Sequence, residues 1–288
     1  MDLILHSPPA YRPELDASSF CDANLIGVYQ SMIGVLRWIV ELGRIDIQLE
    51  TSLLSQYLVQ PRIGHLSQAC NIFRYLKSRY TKGYVVMDPT KWEITWTGGP
   101  DSTHPRDKAT YMAELYPDAT QNLPYDMPEA LGNSVYITCF VDADHAGNKI
   151  TRRSHSGILI YVNSAPIIWY SKRQNTVESS TFGSEIIAMK QATDMIEALM
   201  YKLRMFGIPI TSEVRVLCDN ESVVKTGTNP EARLAKKHNS IAFHRVRECV
   251  ASRMIIIYHE KGESNLADIL TKVLPVDRRT TLLKGIMN

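Results

Sequence analysis

Two short apolar runs, VYITCFV (135–141) and VRVLC (214–218), each give way at once to an aspartate, Asp142 and Asp219. Runs of this length rich in β-branched residues are too short for typical helices. They also lack the alternation of a half-exposed strand, so they fit strands covered on both faces. Covered strands need helices on both sides of a sheet, and the neighbouring segments supply them. The periodicity predicts a long amphipathic helix over 184–205, a basic helix over 241–251 and the start of a last helix over 265–271. Segments 157–162 and 166–171 read as an antiparallel hairpin turning at Asn163 and Ser164, and 254–258 reads as another strand. The resulting order, three strands and then helices alternating with strands, predicts an α/β layer with a mixed sheet.

Upstream the texture differs. Residues 28–80 carry apolar positions at helical spacing, among them Ile33, Leu36, Trp38, Ile39 and Val40, then Leu53, Leu54, Tyr57 and Leu58 up to Pro61, then Leu66, Ala69, Cys70, Ile72, Phe73 and Leu76. The stripes Trp38/Phe73/Tyr75 and Trp169/Tyr170 read as core. Between 88 and 132 lie Pro89, Pro100, Pro105, Pro117, Pro124 and Pro128 with Gly98, Gly99 and Gly132, a density that breaks any long element and reads as a linker or loose insertion. Short strands at 83–87 and 92–96 would begin it. With 288 residues, 44% of them hydrophobic, the chain can bury two modest cores. These are a helical part at 1–88 and an α/β part at 133–288, joined by 89–132. The five cysteines show no zinc spacing and no disulfide framework. The start, MDLILHSPPAYRPELD, lacks a signal-peptide pattern, and no stretch is read as approaching the ~18–20 apolar residues of a membrane span.

Four carboxylates stand against apolar elements: Asp142, Glu185 in GSEIIAM, Asp219 and Asp268 in NLADIL. If the strands before Asp142 and Asp219 are neighbours, both residues reach the same sheet edge, where ligands of α/β sheets collect. Gathered there without partners, they would repel one another and lose hydration. They must therefore be protonated, paired with Lys or Arg, or bound to divalent cations. Oxygen-only ligands suit Mg2+ or Mn2+, and a pair of such ions about 3.5–4 Å apart can drive phosphodiester hydrolysis.

The strings DADHAG (142–147), RRSHSG (152–157), WYSKRQNTVESST (169–181), GSEIIAM (183–189), CDNESVV (218–224), KKHNSIAFHRVRE (236–248) and NLADILTKVLP (265–275) resemble, in order, the ribonuclease H domain of copia-type LTR retrotransposon Pol polyproteins. VYQSMIGVLRWI, RIDI and IFRYLKSRYTKG resemble the helical region after the reverse transcriptase palm of the same polyproteins. The resemblance implies an α/β fold, a ribonuclease H-like mixed five-stranded sheet flanked by helices, preceded by a smaller thumb- or connection-like helical region. It implies hydrolysis of the RNA strand of RNA–DNA hybrids with two Mg2+ (or Mn2+). Asp142 would bridge both ions, Glu185 and Asp219 would hold the ion on the leaving-group side, and Asp268 would hold the ion that delivers water. Asp144 competes with Asp142 within DADHAG, and Asp142 is preferred because it directly follows the apolar run. His145 departs from the family's usual Trp, and the histidine of many cellular ribonucleases H has no secure counterpart, His259 being nearest. Expected partners are the hybrid and the rest of the reverse transcriptase polyprotein, with no membrane. The expected location is the cytoplasm, virus-like particles included, without secretion. Polymerisation is not expected, because no palm motif is found.

Net charge is only +2, so grip on nucleic acid must come from local patches. The candidates are Arg152, Arg153, Lys172, Arg173, Lys236, Lys237, His238, His244, Arg245 and Arg247, against the plain alternative of a solvated helix face. Two rival functions remain. One is a catalytically silent connection or nucleic-acid-binding fragment. The other is an integrase-type nuclease, whose carboxylates run Asp, Asp, Glu rather than Asp, Glu, Asp, Asp.

Overall fold

The computed structural model describes residues 11–79, 111–234 and 237–287. The strands expected at 83–87 and 92–96 lie outside these residues. The N-terminal described residues carry three α-helices, α1 (Ala23–Glu41), α2 (Gln48–Leu54) and α3 (Ile63–Ser78). Asp22 caps α1 by accepting from the Leu25 amide at 2.8 Å, satisfying one of the orphan donors of the first turn. Tyr29, Ile33, Leu36 and Val40 share one face of α1 and close a core with Leu54, Ala69, Ile72 and Tyr75. Trp38 falls on the opposite face, about 200° around the helix from Leu36, and is 63% exposed, so it leaves the predicted core stripe. By length and composition alone α1 would suffice to cross a membrane, which corrects the sequence reading.

Five strands, β1 (Ile137–Asp144), β2 (His155–Val162), β3 (Ala165–Arg173), β4 (Val214–Cys218) and β5 (Ile255–His259), form one sheet in the order β3-β2-β1-β4-β5. β2 pairs antiparallel with β1 and β3, whereas β4 pairs parallel with β1 and β5. The mixed five-stranded sheet expected from the sequence is present. α4 (Thr181–Met205) crosses from β3 to β4, and α5 (Glu221–Thr228) and α6 (Ser240–Ala251) cross from β4 to β5. Asn163, with φ of 55°, makes the hairpin turn between β2 and β3. The segment 265–271 forms a 3-10 turn, Leu266–Leu270, rather than the start of the last helix. The helix α7 (Val276–Lys284) begins only beyond Pro275, whose fixed φ suits a helix start but not a helix interior.

Alternation along β1 divides the molecule. Ile137, Cys139, Val141 and Ala143 face α4 and α6 in the larger core, together with Ile158, Ile160, Val216 and Ile257. Phe140 joins Leu159, Tyr161 and Leu217 on the other face, covered by the 266–270 turn, α7 and Ile45. The N-terminal helices close that second side. Trp169 of β3 enters their core and donates to the Val40 carbonyl at 3.1 Å, and Ser52 donates to the Ser171 carbonyl at 2.7 Å. Arg279 of α7 bonds Glu50 and the Asp46 carbonyl. The proline-rich stretch read as loose is fastened where it is described: Met112 is fully buried in the larger core, and Gln121 bonds both the Ser252 carbonyl and Arg204.

Candidate metal centre at the sheet edge

Because β1 and β4 run parallel with Val141 opposite Cys218, the next residue of each, Asp142 and Asp219, emerges at the same edge. Asp142 still belongs to β1, which extends to Asp144 instead of stopping at Val141. Asn265 brings the third element in. Its side chain donates to the Val141 carbonyl at 2.9 Å and accepts from the Ala267 amide, so the turn carrying Asp268 is pinned beside β1. Glu185 comes from the first turns of α4, a helix capped by Ser180 and seated by Ile186, Ala188 and Met189 in the larger core. Carboxylate oxygens of Asp142, Asp219 and Asp268 lie within 4.8 Å of one another, and donor atoms of Glu185, Asp219 and Cys218 do the same. Asp219 thus links all four predicted carboxylates. Asp144 belongs to neither group. Its carboxylate lies over Gly147, where a Cβ would fall 1.8 Å from Oδ2.

Three of the four carboxylates are almost dry, with Asp142 0%, Asp268 1% and Glu185 6% exposed, while Asp219 is half-buried. Burial, then the charge of Asp142, pushes the Asp268 carboxyl up to about 6. Burial and the charges of Asp142 and Asp219 hold Glu185 well above the usual carboxylate range, and burial followed by Asp142 raises Asp219. Protein cations offset only part of this charge. Lys272 Nζ lies 2.9 Å from Asp142 Oδ1 and 2.7 Å from Asp268 Oδ1, Arg278 bonds Asp268 Oδ2, and Thr271 Oγ1 donates to Asp142 Oδ2. Among the described residues no Lys or Arg forms an ion pair with Glu185 or Asp219, and Glu185 Oε2 is buried without a hydrogen-bond partner. An orphaned buried carboxylate oxygen facing other carboxylates is what a divalent cation would satisfy. The oxygen donors fit Mg2+ or Mn2+. The Cys218 thiol does not, since burial raises its pKa and keeps it protonated.

Thr271, Lys272 and Arg278 were not singled out from sequence, although Thr271 and Lys272 follow Asp268 in NLADILTK and a lysine four residues after an acid is a standard helical pair. His259 donates to the Asp219 backbone carbonyl at 3.1 Å and so supports the strand end. The basic candidates divide. Arg152, Lys172 and Lys237 are exposed, while Arg153 and Arg173 line a cavity of about 180 Å³ beside the cluster, shared with Arg12, Asp144 and Lys272. Lys236 lies outside the described residues. His238 bonds the buried Glu178 at 3.0 Å, His244 meets the Tyr116 hydroxyl at 2.7 Å, and Arg245 pairs with Asp194 and Glu197 of α4. Arg247 departs from the expectation of a phosphate contact. It is 3% exposed, and its guanidinium bonds the carbonyls of Thr226, Asn229, Pro230 and Ala232, so it fastens the end of α5 and the loop after it from inside.

No family model matches the chain. It is 25% identical over 268 residues to the retrovirus-related Pol polyprotein from transposon RE1 of Arabidopsis thaliana, covering 93% of this chain and 15% of that protein. It is 31% identical over 144 residues to the retrovirus-related Pol polyprotein from transposon TNT 1-94 of Nicotiana tabacum, covering 50% of this chain and 11% of that one. The chain therefore spans only a small part of the length of these relatives. Among solved structures, LC11-RNase H1 in complex with RNA/DNA hybrid overlays on 47% of this chain and 93% of its own, with a TM-score of 0.38 and 19% identity. The strand order and the α4 crossover, rather than that overlay, carry the fold assignment. Its mixed five-stranded sheet is of the ribonuclease H-like type, and along nearly all its length the chain is similar to the retrovirus-related Pol polyproteins of transposons.

Proposed function

We propose that this chain is the ribonuclease H part of a copia-type retrotransposon reverse transcriptase and hydrolyses the RNA strand of RNA–DNA hybrids with divalent cations. The observation that carries the reading is the convergence of Asp142, Glu185, Asp219 and Asp268 from four separate elements onto one sheet edge, with Glu185 Oε2 left unpartnered. The cations would be two Mg2+ or Mn2+ held by these carboxylates, and they would supply water activation and charge stabilisation at the scissile phosphate. The chain's own residues do the rest. Thr271 fixes the Asp142 carboxylate, Asn265 holds the Asp268 turn against β1, and the α4 packing keeps Glu185 out of water. Arg152, Arg153, Lys172, Arg173 and Lys237 would meet backbone phosphates beside this edge.

In this reading 133–288 carries the chemistry, and 1–88 is the thumb- or connection-like support of the larger polyprotein. One observation favours the silent alternative: Lys272 and Arg278 already neutralise Asp142 and Asp268, as in a purely structural ion-pair network. Incubation of the protein with a hybrid labelled on either strand separates the two. A nuclease cuts the RNA strand in Mg2+ and stops in EDTA, while a connection fragment binds hybrid and never cuts it.

A further inference from the structure

The cluster has two unlike sides. On one, Glu185 and Asp219 form no ion pair with Lys or Arg among the described residues, and the Lys272 charge reaches them only from a distance. On the other, the Lys272 ammonium already sits between Asp142 Oδ1 and Asp268 Oδ1, at 2.9 and 2.7 Å. Oxygen-bound Mg2+ lies at about 2.0–2.1 Å from its ligands. An ion on those two oxygens would share the ammonium's space and be repelled by its charge.

The carboxylates cannot make room. Asp142 and Asp268 side chains are 0% and 1% exposed, and each has its second oxygen bonded, to Thr271 and to Arg278. Lys272 can. Its side chain is 35% exposed on a flexible four-carbon stem, and it borders the cavity that also holds Asp144. Asp144 shares the sheet face of Asp142 two residues on, stands outside the metal-sized groups and offers that cavity a half-buried carboxylate.

We propose that Lys272 is the resident cation of the Asp142/Asp268 side, that a divalent ion enters there only by displacing its ammonium toward Asp144, and that the Glu185/Asp219 side fills first and without displacement. This rests on reading the cluster as a metal centre. Lys272 acts as a positioning residue that keeps Asp142 and Asp268 together in the metal-free protein and sets the order in which the two positions fill.

The test is a Mn2+ titration of the full chain without nucleic acid, following free Mn2+ by electron paramagnetic resonance, for the wild type, Lys272→Met and Lys272→Arg. The wild type is expected to bind one Mn2+ at least tenfold more tightly than a second. Lys272→Met should tighten the second by tenfold or more and lower the melting temperature of the metal-free protein. Lys272→Arg, which keeps a cation, should stay near the wild type. Two equal sites in the wild type, or an unchanged second affinity in Lys272→Met, overturns the proposal. Should Lys272→Met fail to fold, lysine-selective 15N spectra of the wild type decide. The Lys272 ammonium signal must move with the second equivalent of Mg2+ and not the first, and a signal unmoved at saturation overturns the proposal. A chain that binds Mn2+ in this order yet never cuts hybrid refutes the nuclease reading alone. Cutting combined with a Lys272-independent second site refutes the displacement alone.

Discussion

At the scale of single residues, the two aspartates of DADHAG have opposite surroundings. Asp142 lies within reach of Asp219 and Asp268, while Asp144 is turned over Gly147 toward the cavity. Asp142→Asn should therefore lower hybrid cleavage by more than about a hundredfold, in the range seen when a transition-state charge contact is removed. Asp144→Asn should cost roughly ten- to a hundredfold at most, as for a residue that acts through its neighbours. Paired cleavage rates check the order, and a larger loss for Asp144→Asn would reassign the site. Arg247 provides a separate check. With the Arg247 side chain buried and its guanidinium bonded to four backbone carbonyls, Arg247→Ala should destabilise the fold by about 2–4 kcal/mol in denaturant unfolding. Hybrid affinity of the folded fraction should not change. A phosphate-binding Arg247 would give the reverse pattern. In sequence Arg247 is one basic residue in a basic run, and nothing local distinguishes it from Arg245. Its burial follows from the end of α5 and the loop after it folding back over α6, a tertiary event.

At the scale of elements, β1 and β4 were legible because a buried strand leaves a short, almost uninterrupted apolar run, and α4 because a helix of 25 residues shows its period many times. The 3-10 turn at Leu266–Leu270 was not, since one turn of 3-10 and the first turn of an α-helix share the same cap and the same spacing. Nor was the coupling of that turn to the sheet. His155 of β2 donates through Nε2 to Ser171 of β3 at 2.9 Å, and Ser171 in turn donates to the Leu270 carbonyl at 2.6 Å, two residues past Asp268. Burial, with the nearby Arg173 charge, lowers the His155 pKa to about 3. A depressed histidine is neutral when folded while the unfolded chain takes up a proton near pH 6.5. The stability it contributes is full above that value and is lost as pH falls from about 6.5 toward 3. Thermal melting across pH 7 to 4 should show a loss on the order of a few kcal/mol that His155→Gln flattens. An equal acid slope in the variant would place the sensitivity elsewhere.

At the scale of the whole molecule, the N-terminal helices cover one face of the sheet instead of trailing from it, a docking invisible in sequence because it depends on Trp169, Ser52 and Arg279 meeting partners more than a hundred residues away. A fragment starting at 133 keeps all four carboxylates but uncovers Trp169 and strips Arg279 of Glu50 and the Asp46 carbonyl. It should melt well below the full chain, by about 10 °C or more if several kcal/mol are lost. Equal melting temperatures would show that the two parts fold independently. The basic residues left facing solvent near the site are few, so hybrid affinity should fall with salt at a log–log slope of about −3 to −5. A flat salt response would remove the phosphate role of Arg152, Arg153, Lys172, Arg173 and Lys237. The most direct measurement remains cleavage itself, on a strand-labelled RNA–DNA hybrid with saturating Mg2+, wild type beside Glu185→Gln, with binding measured on the same samples. The expected result is RNA-strand cutting by the wild type that Glu185→Gln abolishes while binding stays within a few-fold. Wild-type protein that binds the hybrid and leaves its RNA intact at every enzyme concentration, or a variant that cuts as well as the wild type, would contradict a carboxylate metal centre as the seat of catalysis.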